Sequence, residues 1–164
     1  MKKNIKFLSF LFITMILISC KKEDFNGLSD IRPAVPVTVT NAIDFRPEPT
    51  VSTSISGGGA IQIILAIPSG TGRTIKEITR IAASTTYTKI QGTAGLYNSA
   101  PIPVNAITYT FNTTLAEYVV KGPGVIPTVS ATVGTELANR FYFMLTLDDN
   151  SVVISESVRV LVKN

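Results

Sequence analysis

The chain has 164 residues, with nine prolines, eleven glycines, one cysteine, no histidine and no tryptophan, which allows one ordinary domain and little room for a second. Without histidine there is no imidazole acid or base and no histidine-containing zinc site, and one cysteine permits neither an internal disulfide nor an all-cysteine metal cluster, so no cofactor is implied. The formal charge is +4, but with Lys2, Lys3 and Lys6 set aside as part of a leader, position 20 onward carries 12 basic against 11 acidic residues, and no nucleic-acid partner is implied.

Met1-Lys-Lys-Asn-Ile-Lys6 is a short cationic stretch, and the uncharged run Phe7 to Ile18 follows it, in the order of the n- and h-regions of an export signal. A helix of about 12 residues spans roughly 18 Å, too short for a permanent crossing of a bilayer core of about 30 Å. Leu17-Ile18-Ser19-Cys20 then supplies a branched residue, a small residue and the chain's cysteine, and it resembles a bacterial lipobox. The resemblance implies a signal peptide over residues 1–19, cleavage before Cys20, a diacylglyceryl thioether on its sulfur and acylation of the freed amine. Several acyl chains anchor stably where one does not, so the membrane becomes a partner through Cys20. Within Lys21-Lys-Glu-Asp24, the residues Lys22, Glu23 and Asp24 resemble the surface-export signal of Bacteroidota lipoproteins, a lysine before two acidic residues just after the lipidated cysteine. The alternative is a solvated charged tether facing the periplasm. Position +2 is lysine, not aspartate, so the implied location is the outer membrane.

Residues 20–33 read as a lipidated flexible tether, and 34–164 as a β-sandwich domain. Pro33, Pro36, Pro47 and Pro49 punctuate the start, and Val35 to Thr40 is a candidate first strand, at an edge because of Pro36. Ala60 to Ile67 puts Ile61, Ile63, Leu65 and Ile67 on one face. Thr74 to Ala82 has Ile75, Ile78 and Ile81 at every third position, which fits a helical turn as well as a bulged strand; context favours the strand. Val104 to Phe111 gathers Ile107, Tyr109 and Phe111. Val125 to Val133 reads as a strand, and Gly134 to Ala138 as a loop or single helical turn. Phe141, Phe143, Leu145 and Leu147 line the next strand. The hairpin turn Asp148-Asp-Asn-Ser151 leads to a last strand with Val152, Ile154, Val158, Val160 and Val162 on one face, interrupted by Glu156. Serine and threonine supply 30 residues from position 20 onward, and valine and isoleucine dominate the apolar set, which is strand chemistry. The leading architecture is an all-β, antiparallel sandwich of about seven strands.

Catalytic patterns are weak. Pro68 to Thr74 is similar to the tail of a phosphate-binding loop, but Ile67 stands where the first glycine belongs and Arg73 where the lysine belongs. Gly57-Gly-Gly59 suits a turn. Asp148-Asp-Asn-Ser151 has the oxygen side chains of a calcium turn, but these are also ordinary turn formers, and no metal ligand is assigned. Asp44 and Glu48 could form a carboxylate pair for glycoside hydrolysis, but without a scaffold or aromatic platform. No S-x-x-K motif follows position 20 to replace a histidine base. Enzymatic activity is not expected. For binding, sugar rings stack on aromatics, and the candidate ligand contacts are Tyr87, Tyr97 and Tyr142. Tyr87 and Tyr97 lie in the Gly- and Thr-rich stretch 84–101, read as a hairpin and loop at one end of the sandwich. Tyr142 lies opposite the Phe141 face, either exposed or covering a second apolar layer. Tyr109 shares parity with Phe111 and reads as core.

Taken whole, the chain resembles small Bacteroidota outer-membrane lipoproteins with an immunoglobulin-like or fibronectin-III-like β-sandwich. Many of these accompany the TonB-dependent transporter and SusD-like lipoprotein pairs that import glycans or peptides. The resemblance implies a non-enzymatic surface lipoprotein serving nutrient uptake, with a transporter pair and a glycan as candidate partners. The alternative is a structural or adhesive module whose sheet edge or face docks on another protein or on itself.

Overall fold

The structure, a computed structural model, describes residues 33–122, 124–129 and 133–164. The expected signal peptide, Cys20 and the Lys22, Glu23 and Asp24 motif lie outside the described residues. Pro33–Asn164 forms a compact unit. No helix among the described residues is long and apolar enough to cross a membrane.

In chain order the elements are β1 (Thr38–Val39), β2 (Thr50–Ser54), β3 (Ala60–Ala66), β4 (Ile75–Ser84), β5 (Ile102–Ala106), β6 (Thr108–Thr114), α1 (Leu115–Lys121), β7 (Thr135–Glu136), β8 (Arg140–Leu147), β9 (Val152–Ile154) and β10 (Arg159–Lys163), with 3-10 turns at Ser69–Thr71 and Tyr87–Gln91. They form three sheets of order β1-β3-β6, β2-β10-β7 and β5-β4-β8-β9. The domain is mostly β, rich in antiparallel pairs, sandwich-like and not a closed barrel.

Alternation places the core. Ile61, Ile63, Leu65 and Ile67 are buried, as are Phe141, Phe143, Leu145 and Leu147. Phe111 of β6 meets Phe143 of β8 edge-on, with ring centroids 5.5 Å apart, and Phe141 at 5.8 Å. The first sheet therefore packs its apolar face on the third. Each fully buried Phe or Leu contributes about 1.5–3 kcal/mol relative to exposure.

Strand β4 resolves the three-residue periodicity. Ile75, Ile78 and Ile81 are all buried in one strand. Its register against β8 slips between Ile75 and Glu77 and again between Ile78 and Arg80. Each inserted residue resets the pleat, so a spacing of three returns to the core face.

Other expectations are corrected. The single strand expected over Val104 to Phe111 is divided: β5 pairs with β4 and β6 with β3, in different sheets. The chain bends at Ile107 between them; Asn105, at φ 51°, lies inside β5 where its register against β4 slips, a conformation that Asn tolerates better than most residues. Ile107, just outside β6, is left exposed. The candidate strand Val35 to Thr40 shrinks to two paired residues, although Val35 and Val37 still pack on the core. Of the candidate strand Val125 to Val133, residues 125–129 form no strand; Pro127 offers no backbone donor there. The expected loop or helical turn at Gly134 to Ala138 contains β7, paired with β10. The last strand does not keep one parity: Val153 and Val158 touch the main core, Val152 is exposed and Ile154 turns to the opposite face. The break falls at Ser155 to Ser157, around Glu156. There the chain leaves β8, bridging Phe141 to Val158, and enters the second sheet as β10.

Two features were not foreseen. Strand β2 pairs with β10 in parallel, from Thr50 opposite Arg159 to Ser54 opposite Lys163. Helix α1 follows β6, with the Glu117 N–H donating to the Thr114 hydroxyl at 3.1 Å. Thr114-Leu-Ala-Glu117 has the T-x-x-E spacing of a capping box, a signal present in the sequence. The hairpin at Asp148 to Ser151 does form, with Asn150 at φ 65° and its N–H on the Leu147 carbonyl at 2.9 Å, a three-residue loop closed by a left-handed residue.

Candidate functional site

The stretch 85–101 leaves the end of β4 and folds back over the outer face of the β5-β4-β8-β9 sheet. Ile90 of its 3-10 turn is fully buried with Ala82 and Tyr142, and Leu96, Met144 and Ile154 pack around them. This is a second apolar layer on the face of β8 opposite Phe141 and Phe143. Beyond the β4–β5 pairing, residues 97 and 98 take over as partners of β4. The Tyr97 N–H donates to the Ile81 carbonyl at 2.8 Å. The Asn98 side chain accepts from the Ile81 N–H at 2.8 Å and donates to the carbonyls of Thr79 and Ala100 at 3.1 and 2.9 Å. One side-chain amide thus replaces a strand where β4 is bulged, satisfying backbone groups that would otherwise be orphaned.

Between this stretch and β4 lies a cleft of about 260 Å³ lined by Thr79, Arg80, Thr93, Leu96, Asn98 and Pro101 among others. Small-molecule sites run from about 300 Å³ upward. Three of its polar side chains are committed to the fold. Arg80 donates to the Gln91 carbonyl at 2.5 Å, the Thr79 and Thr146 hydroxyls share a bond of 2.6 Å, and Asn98 is engaged at both ends of its amide. The arrangement fastens a loop to a sheet.

The candidate aromatics do not converge. Tyr97 is buried in the main core, its ring 5.5 Å from Phe111 and 5.4 Å from Phe141. Burial, and secondarily the charge of Glu117, push its phenol well above the ordinary tyrosine range. The Lys121 ammonium lies 5.5 Å from the ring centroid and donates to the Tyr97 carbonyl at 2.8 Å. Tyr142 is buried in the second layer, under Ile90. Of the two placements the sequence allowed for Tyr142, the covering one is found, because the stretch 85–101 lies across that face. Tyr87 is 52 % exposed, with its hydroxyl accepting from the Gln91 amide at 3.2 Å. One stacking platform remains where three residues had been expected to offer one.

The other polar candidates are also drawn apart. Asp44 bonds the Phe45 and Arg46 N–H groups, and the first of these holds its carboxyl below the usual range. Glu48 instead pairs with Arg140 at 3.1 Å and accepts from the Ser157 hydroxyl at 2.5 Å. Arg73, in the stretch similar to a phosphate loop, faces Asp149 at 2.8 Å and Asp148 at 3.8 Å. The hairpin carboxylates thus meet a guanidinium, and the Asp149 carboxyl is held low chiefly by the Ser151 hydroxyl and N–H. Among the described residues no cluster of three metal-ligating side chains occurs.

Sequence reasoning missed Tyr118, Asn139 and Asn98 as structural anchors. Tyr118 of α1 is fully buried, and the Asn139 N–H donates to its hydroxyl at 2.9 Å; the Asn139 amide in turn donates to the Gly122 carbonyl. Val119 and Val120 on α1, with Val125 and Ile126 just beyond it, remain exposed. Comparison with protein-family models, curated proteins and solved structures gives no match to the chain.

Proposed function

We propose that this chain is a lipid-anchored, non-enzymatic recognition module at the bacterial outer membrane, facing outward, and an accessory or ligand-binding component of a complex that takes up glycans or peptides. The observation that carries this reading is Leu17-Ile-Ser-Cys20, which ends an uncharged run on the chain's single cysteine and is followed at once by Lys21-Lys-Glu-Asp24. The fold component of the proposal is an immunoglobulin-like or fibronectin-III-like sandwich. Its support is the strand order: β1-β3-β6 faces β5-β4-β8-β9, as strands A-B-E face C′-C-F-G, while β2 joins the last strand in parallel. Fold alone does not give function, so the anchor carries the functional argument.

The test is mass spectrometry of the mature chain. A diacylglyceryl and acyl adduct on Cys20 is expected, and Cys20→Ser should release or strand the protein. An unmodified sulfur on the processed chain would defeat the reading. Protease shaving of intact cells should degrade the domain, and pull-down from detergent-solubilised outer membrane should recover a transporter pair. A second reading, a structural or adhesive module, is favoured by the edge of β6, which no strand among the described residues covers. Recovery of the lipoprotein without a transporter would support that reading instead.

A further inference from the structure

Strand β6 is the outer strand of the β1-β3-β6 sheet. The Ile67 N–H donates to the Ile107 carbonyl at 3.0 Å, and the Leu115 N–H to the Gly59 carbonyl at 2.9 Å. In the register Leu65↔Tyr109, Ile63↔Phe111 and Ile61↔Thr113, the odd-numbered residues direct their backbone groups at β3. The backbone groups of Thr108, Thr110 and Asn112 therefore point to the open side, because directly opposed antiparallel residues alternate in this way, as does the N–H of Thr114, whose carbonyl as N-cap accepts the first bond of α1. Their side chains are also exposed. Among the described residues no backbone group meets Thr108, Thr110 or Asn112 from that side.

Sheet edges are usually blunted by proline, charge, bulges or shortness. The other edges of this domain are. Strand β1 has two residues and β7 two, β5 carries Pro103 with Pro101 just before it, and β9 has three residues ahead of the break at Glu156. Strand β2 is flanked by the Ile43–Asp44 segment, which exchanges hydrogen bonds of 2.8 Å with Thr50. Strand β6, Thr-Tyr-Thr-Phe-Asn-Thr-Thr over 108–114, has neither proline nor charge in seven residues.

We infer that β6 pairs with β6 of a second copy, antiparallel about a two-fold axis at Phe111, joining two three-stranded sheets into one of six. Charge and register select a copy of the same chain. An axis at Phe111 sets Thr110 opposite Asn112 of the second copy, where the two residues exchange both backbone hydrogen bonds, and Thr108 opposite Thr114, whose N–H faces the Thr108 carbonyl. Hydroxyl and amide side chains then lie across from each other and no like charges meet. The exposed face of this sheet, with Thr38, Ala60, Gln62, Ile64 and Ala66 beside β6, carries no charged residue, and so offers nothing to select an acidic or basic foreign strand.

The test measures the protein mass of the full chain in detergent by light scattering across concentration, with residue-level amide exchange. The mass should double as concentration rises. The Thr110 and Asn112 amides should slow by at least about tenfold, while the Phe111 amide, bonded to β3, stays slow throughout. Thr110→Lys and Thr110→Pro should each restore the single-chain mass; the proline removes an N–H that β3 does not use. Ser52→Lys, which adds the same charge on β2, should leave the dimer intact, and circular dichroism reports whether each variant folds. A single-chain mass at the highest soluble concentration would overturn the inference. So would exchange at Thr110 and Asn112 that ignores concentration, a dimer that survives both folded Thr110 variants, or protection at this edge conferred by an unlike protein alone.

Discussion

Tyr118→Phe isolates one hydrogen bond. The ring is fully buried and lies 6.1 Å from Phe141, and phenylalanine keeps that packing. What is lost is the acceptor for the Asn139 N–H at 2.9 Å, in a residue that is itself buried. A buried donor left without a partner costs about 1–3 kcal/mol. The compact unit Pro33–Asn164 has about 130 residues, and at about 2.1 cal/mol/K each its unfolding entropy is near 0.27 kcal/mol/K, so the melting temperature should fall by about 4–11 °C. The chain has no tryptophan, so the assay is thermal and urea unfolding followed by far-ultraviolet circular dichroism. Tyr109→Phe is the control: Tyr109 is half-buried in β6, and its loss of a hydroxyl should cost under about 0.5 kcal/mol. Equal midpoints for the two variants would refute the claim that the Tyr118 hydroxyl fastens α1 to the approach of β8.

Asn98→Ala removes the side chain that pairs with β4 around its second bulge. The Ile81 amide should lose its protection in hydrogen exchange and stability should drop by about 1–3 kcal/mol; unchanged exchange at Ile81 would count against the role. The Glu117 carboxyl is held below its ordinary value first by the Lys121 ammonium at 2.8 Å and then by the Thr113 hydroxyl at 2.7 Å. A depressed folded-state value means that its contribution is present above the unfolded pKa and is lost as pH falls through the folded one. Glu117→Gln should therefore lower the melting temperature slightly at pH 7, and the gap should close under acid conditions; a gap independent of pH would contradict the ion pair. Tyr97, Tyr109 and Tyr118 are all pushed up by burial. Their phenols should stay protonated through alkaline titration followed at 295 nm until the domain unfolds. Because raised values stabilise below the unfolded pKa, that protection is lost as pH climbs past it.

What could be read directly was local and repeated. Alternation in Ile61 to Ile67 and in Phe141 to Leu147 marked the core faces because a strand has a period of two and one face must leave water. Asp148 to Ser151 marked its turn because Asn tolerates positive φ. The cationic start, apolar run and Cys20 lie outside the described residues; the export address expected there rests on consecutive residues alone. Decisions between distant segments were not legible. A bend at Ile107 sends β5 and β6 into separate sheets, two bulges let Ile75, Ile78 and Ile81 share a face, and the stretch 85–101 covers Tyr142 while Tyr97 enters the core. Each outcome depends on which backbone groups find partners tens of residues away, and local propensity does not encode that. The open edge of β6 is of this kind as well, since seven uncharged residues become an interaction surface only when β3 takes one side and no other segment described here takes the other.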